Sequence, residues 1–169
     1  MDASYHVRLA TAHDIPVLVA YRRSMFESMG VGNAGALTTM CEAMSRYLAQ
    51  AIPAGVYRGW VAEAGGEVIA SGGLVIHELP PGPRNMDGRE GYIMNIYTLP
   101  AWRQRGVATA IVTAILDYLR DIGVPVATLH ATIAGRRVYK KFGFKATNEM
   151  RLIMDGKRAE AQANGSQPG

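Results

Sequence analysis

Arg103-Gln-Arg-Gly-Val-Ala108 is the segment whose residue types and spacing most directly suggest chemistry. Successive backbone N–H groups in such a turn form a nest that can cup an anion. A helical pattern begins at its end, and a helix start adds unpaired N–H groups and the positive end of the helix dipole. Each charge–dipole contact contributes roughly 0.3–1 kcal/mol, more when partly buried. Gly106 lets a phosphate approach because no Cβ intervenes. Ala108 keeps the first helical turn low, while Arg103 and Arg105 supply charge. Taken alone, the segment is equally readable as a basic strand–helix connection.

Other patterns fail on context. Gly30-Val-Gly-Asn-Ala-Gly35 spells the dinucleotide fingerprint G-x-G-x-x-G. It follows an amphipathic helix rather than a strand, and the region about 20 residues on has no acid for a ribose. It is read as an interhelical loop. The Arg103 loop has no Gly-Lys-Ser/Thr and is no Walker motif. His6, His13, His77 and His130 lack metal-ligand spacing, so no metal is expected. Nothing matches G-x-S-x-G. Cys41, the single cysteine, lies on an apolar helical stripe and reads as core rather than nucleophile.

These residues need elements to hold them. Alternation makes Tyr5–Thr11 a strand. Ile15, Leu18, Val19, Met25, Phe26 and Met29 mark a helix over Ala12–Met29. Arg22 interrupts that stripe, either at the helix surface or lining a pocket. Leu37, Met40, Cys41, Met44, Tyr47, Leu48 and Ala51 form a second helix that Pro53 and Gly55 end. Val56–Ala64 and Glu67–His77 are strands joined by a Gly65-Gly66 hairpin. Gly72-Gly73 signals a bulge or a close backbone approach. Leu79–Glu90 is a loop, Tyr92–Thr98 a strand and Val107–Ile122 a helix stopped by Gly123. Val126–Ala131 is apolar on both faces, as an inner parallel strand should be. A short helix over Ala134–Phe142 and a strand over Phe144–Met154 complete the order β-α-α-β-β-β-α-β-α-β. The expected fold is mixed α/β: one sheet, helices on both faces, and a right-handed βαβ crossover. Residues 1–154 form one domain, and residues 155–169 a polar tail.

A chain of 169 residues with 49% apolar composition suits one soluble globular domain. There is no secretory signal pattern and no apolar run of the roughly 18–20 residues that span a bilayer. With its lone cysteine the chain suits a reducing, cytoplasmic location. Between Gly91 and Asn148 eight Lys/Arg face only Asp117 and Asp121, within a chain of net charge +4. That segment would draw a polyphosphate, or simply be a solvated basic face. Nucleic-acid binding is disfavoured, since no basic run with interleaved aromatics is present.

Ile96-Tyr-Thr-Leu-Pro-Ala-Trp-Arg-Gln-Arg-Gly-Val-Ala108 resembles the signature of the GNAT superfamily of N-acetyltransferases, in which R/Q-x-x-G-x-G/A follows a strand and a proline. Leu129-His-Ala-Thr-Ile-Ala-Gly-Arg-Arg-Val-Tyr-Lys-Lys-Phe-Gly-Phe144 is similar to that family's second coenzyme segment, ending in Tyr-x-x-x-Gly-Phe. The resemblance implies a GNAT-like fold with two splayed, parallel central strands, and acetyl-CoA as cosubstrate. Ile96, Tyr97 and Thr98 would pair with the pantetheine arm. Arg103, Gln104, Arg105, Gly106, Val107, Ala108 and Thr109 would hold the pyrophosphate, with Thr132 and Arg136 completing the set. Tyr139 matches the tyrosine that protonates the departing thiolate, and a neutral phenol suits that task. Two positions depart from common patterns. Thr132 stands where many members have Asn, and Ala127 where some protein N-terminal acetyltransferases have Glu.

The implied activity is transfer of an acetyl group from acetyl-CoA to a primary amine of a small molecule or peptide. The amine must lose a proton, so a base or a water path is needed. His130 beside the splay is one candidate, and Glu27, Glu63, Glu78 and Glu90 are others. Asn95 precedes the acetyl-binding segment and could orient substrate, with Phe26 and Met29 giving an apolar part to the acceptor pocket. The fold admits a homodimer through paired or exchanged terminal strands. The alternative is a non-catalytic acyl-CoA-binding or regulatory module, since fold alone does not fix function.

Overall fold

A computed structural model describes residues 4–154; the tail at residues 155–169 lies outside them. Strands β1 (His6–Leu9), β2 (Tyr57–Ala64), β3 (Glu67–Glu78), β4 (Arg89–Thr98) and β5 (Val126–Leu129) form one sheet in sequence order. Neighbours run antiparallel except β4 and β5, which are parallel. Helices α1 (Ile15–Ser28) and α2 (Ala34–Ala51) lie on one face. Helix α3 (Val107–Asp121) lies on the other, and a short α4 (Arg136–Lys141) follows β5.

The alternation in β2 explains the two layers. Trp60 and Ala62 turn to one face, where Ile111 and Ile115 of α3 pack with Leu74 and Ile93. Tyr57 and Val61 turn to the other, against Leu18 and Leu48 of α1 and α2. Each fully buried Ile or Leu contributes about 1.5–3 kcal/mol. The helix starts follow local chemistry. Asn33 Oδ1 accepts from the Ala36 amide at 2.9 Å, capping α2. Before α1, a 3₁₀ turn at Ala12–Asp14 closes a capping box in which the Thr11 amide donates to Asp14 at 2.7 Å. Arg8 then grips Asp14 with two hydrogen bonds of 2.9 Å and reaches Glu63 at 3.0 Å, tying β1, the turn and β2 together.

Both readings of Gly72-Gly73 hold. The β3–β4 register shifts there. A Cβ on Gly72 would sit 2.5 Å from Ile111 and 2.6 Å from Ile96, while one on Gly73 would run into the Tyr57 hydroxyl. Ile111 of α3 with Ile96 on one face, and the Tyr57 ring from the neighbouring strand on the other, leave no room for a side chain at either position.

The expected strand over Phe144–Met154 is not formed. No ladder partner takes it up, and Met150, Leu152 and Met154 are 95%, 80% and 83% exposed. A strand needs a partner as well as alternation. Among the described residues, the parallel pair therefore stands at one side of the sheet rather than at its centre, with β5 outermost. The 79–90 connection is shorter than expected because β4 already begins at Arg89.

Candidate active site

The first feature is a break in β4. Ser71 pairs with Tyr97 but Gly73 pairs with Met94, so two residues of β4 bulge opposite Gly72. Asn95 occupies the bulge with φ 56°. Met94 and Asn95 consequently turn to the same face: Met94 packs into the α1–α2 layer, and Asn95 Nδ2 donates to the Tyr57 hydroxyl at 3.1 Å. On its other side β4 pairs with β5 only from Glu90 to Ile93. Beyond Ile93 and Leu129 the two parallel strands separate, and the β5-facing edge of Asn95–Thr98 opens. Thr98 Oγ1, by contrast, is buried and has no hydrogen-bond partner among the described residues.

The second feature is the turn into α3. Gln104 has φ 61° and Gly106 φ 79°. Left-handed backbone costs a non-glycine residue about 1–2 kcal/mol, and among the described residues only Asn95 and Gln104 adopt it without being glycine. Such strain persists where the surroundings impose it, often at functional sites. No side chain caps α3, whose N-cap is Gly106, so its first amides stay free for an anion. Val107 is buried and anchors the turn, while Ala108 and Thr109 are half-buried behind it. Arg103, Gln104 and Arg105 are exposed. Arg103 Nε donates to the Thr98 carbonyl at 3.1 Å and its guanidinium lies 5.8 Å from the Tyr97 ring. Arg105 lies 5.3 Å from the Trp102 ring. Aromatic stems thus hold both arginines beside the free amides.

The third feature is α4. The Thr132 hydroxyl accepts from the Gly135 amide at 3.1 Å, so it shapes the turn into this helix. Arg136 is exposed in the first turn. The Tyr139 ring packs edge-on to Phe144 at 6.0 Å, and its hydroxyl has no hydrogen-bond partner among the described residues. Burial raises its pKa above the ordinary tyrosine value.

On the α1–α2 face, Arg22 donates to Asn95 Oδ1, and its guanidinium lies 5.0 Å from the Phe26 ring one turn along α1. Tyr57, 1% exposed, closes the floor of this cluster. Burial raises the Tyr57 pKa, while its hydrogen bond from Asn95 and the Arg22 charge oppose the rise. Met29 ends α1 and is exposed. The sequence signal for Arg22 was its intrusion into an apolar stripe. Tyr57 carried no signal beyond the glycine pair that makes room for it.

His130 lies just past β5 and is exposed. Its Nδ1 lies 2.7 Å from the Tyr92 hydroxyl and its Nε2 3.2 Å from Glu149. Arg151 Nη2 also reaches Nε2. A proton on Nδ1 lets Nε2 accept from Arg151; a proton on Nε2 instead donates to Glu149 and lets Tyr92 donate to Nδ1. Tyr92, stacked on His77 at 5.6 Å, had no signal in the sequence. The other candidate bases are separate: Glu27 pairs with Arg23 at 2.8 Å, Glu63 with Arg8, and Glu90 accepts from Thr128 at 2.7 Å. Glu78 is exposed at the end of β3. Tyr139, His130 and Asn95 make no hydrogen bond to one another. A cavity of about 360 Å³ lined by Leu79, Pro83, Glu90 and Val126 lies at the opposite end of β4 from the splay.

The profile of the acetyltransferase (GNAT) family matches residues 37–144. The chain is similar to a GCN5-related N-acetyltransferase from Ralstonia eutropha JMP134, with 31% identity and a TM-score of 0.84, over 90% of this chain and 100% of that one. It is similar to a predicted acetyltransferase from Clostridium acetobutylicum solved with acetyl-CoA, with 29% identity and a TM-score of 0.81, over 89% and 96%. Glucosamine-6-phosphate N-acetyltransferase from Arabidopsis thaliana shares the fold at 17% identity and a TM-score of 0.66, over 90% and 99%. No curated protein matches the chain.

Proposed function

The chain belongs to the acetyltransferase (GNAT) family, and from that membership we propose that it transfers an acetyl group from acetyl-CoA to the primary amine of a small molecule or peptide by direct attack. The observation that carries this reading is the separation of β4 from β5 at the Asn95 bulge, beside the uncapped start of α3.

Each part fits a portion of the coenzyme. The free amides from Gln104 to Thr109 suit a diphosphate, and Arg103 and Arg105 add charge. The open edge at Ile96–Thr98 suits the amide-bearing pantetheine arm. The solved relative from Clostridium acetobutylicum holds acetyl-CoA on a similar chain. Thr132, before α4, and Arg136, at its start, would complete the coenzyme site.

The amine nitrogen forms a bond to the acetyl carbon and the carbon–sulfur bond breaks, leaving its electron pair on sulfur. Tyr139 gives that sulfur its phenolic proton. Exclusion of water, which raises the phenol's pKa, equally raises the basicity of a thiolate formed beside it. The proton of the amine goes to His130 Nε2, in the tautomer whose Nδ1–H donates to the Tyr92 hydroxyl, with the amine taking the place that Arg151 occupies at Nε2. Asn95, Phe26 and Met29 border the acceptor side. The test is calorimetry of acetyl-CoA binding, followed by a panel of amines assayed for free thiol. Binding with amine-dependent thiol release is the expected result. Absence of binding overturns the reading, and binding without thiol release for any amine indicates a regulatory module.

A further inference from the structure

We infer that the acceptor carries a carboxylate close to its amine, as free amino acids do, and that Arg22 selects it. This rests on the acetyl-transfer reading above and names the substrate class of that site.

Arg22 sits midway along α1 with its guanidinium at the β4 bulge. A guanidinium has five N–H donors in a planar fork. One is given to Asn95 Oδ1, and no other described group accepts the rest. No described carboxylate pairs with it: Glu27, on its own helix, is held by Arg23, and the remaining ion pairs involve other residues. The flanking groups from the other elements are the neutral Tyr57 and Asn95 and the apolar Met94. The head is fixed by Asn95 and by the Phe26 ring. A half-buried cation held in place with free donors is a prepared anion site.

Its position decides which anion. Asn95 adjoins Ile96, and consecutive Cα atoms are about 3.8 Å apart. Arg22 is hydrogen-bonded to the residue that precedes the Ile96–Thr98 edge, so it borders the acceptor side of that edge. A bare ammonium would meet a like charge there, whereas a carboxylate one or two carbons from the nitrogen meets the free fork. The diphosphate of the coenzyme is not the ligand of Arg22. Its site is on the amides before α3, and α1 lies on the opposite face of the sheet from that helix.

The experiment compares L-amino acids with their carboxamides as acceptors, at saturating acetyl-CoA, in wild-type protein, Arg22→Gln and Arg22→Lys. We expect kcat/KM to favour the acids over the amides by about 10- to 10²-fold. In R22Q that ratio falls to near one, R22K keeps part of it, and calorimetric acetyl-CoA affinity is retained in both. A role confined to holding Asn95 would slow acids and amides alike and leave the ratio standing, which overturns the inference. Amides used as well as acids by the wild type, or thiol release confined to amines without a carboxylate, overturn it too. If R22Q does not fold, the wild-type ratio tests the carboxylate and R22K tests its assignment to Arg22. Failure to bind acetyl-CoA would instead remove the underlying reading, and this inference with it.

Discussion

The acid role proposed for Tyr139 rests on a single hydroxyl, and its environment sets when it can act. Burial holds the phenol protonated beyond its ordinary range. Activity that needs this proton is therefore constant through neutral pH and lost only as pH rises past a value above the usual 10. Tyr139→Phe is expected to lower kcat by about 10²-fold or more, to remove that alkaline limb, and to leave acetyl-CoA affinity nearly unchanged by calorimetry. His130→Gln is expected to cut kcat by about 10²-fold while acetyl-CoA affinity by calorimetry is retained. An unchanged alkaline limb in Tyr139→Phe, or an unchanged kcat in His130→Gln, would remove the role proposed for that residue.

Among the elements, the strand–turn–helix from β4 to α3 combines strain with free donors. Gly106 has open space around its missing Cβ, with only the Tyr5 hydroxyl at 3.8 Å, so backbone conformation alone demands glycine there. Gly106→Ala places a side chain at φ 79° and costs about 1–2 kcal/mol. If the turn relaxes to escape that cost, the amides re-aim. The expected outcome is a melting temperature lower by about 2–8 °C and a calorimetric acetyl-CoA affinity weaker by about 10-fold or more. A variant that is destabilised yet binds normally would show that the diphosphate does not rely on this turn.

For the whole molecule, Arg8 with Asp14 and Glu63 joins the N-terminal strand, the turn into α1 and the second strand. Asp14 is 6% exposed, and its hydrogen bonds from Arg8 hold its pKa below the ordinary carboxylate value despite burial. A depressed folded-state pKa contributes stability that is fully present above the unfolded value near 4 and lost as pH falls through the folded value. Asp14→Ala is expected to cost about 2–4 kcal/mol at neutral pH by urea unfolding, since it breaks the pair and the cap together. Wild-type and variant stabilities should converge as pH drops below about 4. Parallel curves across that range would assign the loss to packing instead.

Local patterns carried much of this into the sequence. The period of α1, α2 and α3, the Gly65-Gly66 hairpin, the Gly72-Gly73 irregularity and the turn at Gly106 depend on neighbours a few residues away, and they stand where the residues indicate. What required tertiary structure is long-range. Arg22 and Asn95 are 73 positions apart and Tyr57 and Asn95 are 38 apart, and only the closed sheet with α1 laid across it brings them together. The same holds for Tyr92 and His130, joined across the parallel pair. Phe144–Met154 shows the converse: its composition suits a strand, but strand formation is a property of two segments, and no described segment supplies the second. Local sequence thus determined the helices, the hairpin and the turn at Gly106, whereas the surface shared by Arg22, Tyr57 and Asn95 exists only once distant side chains come together.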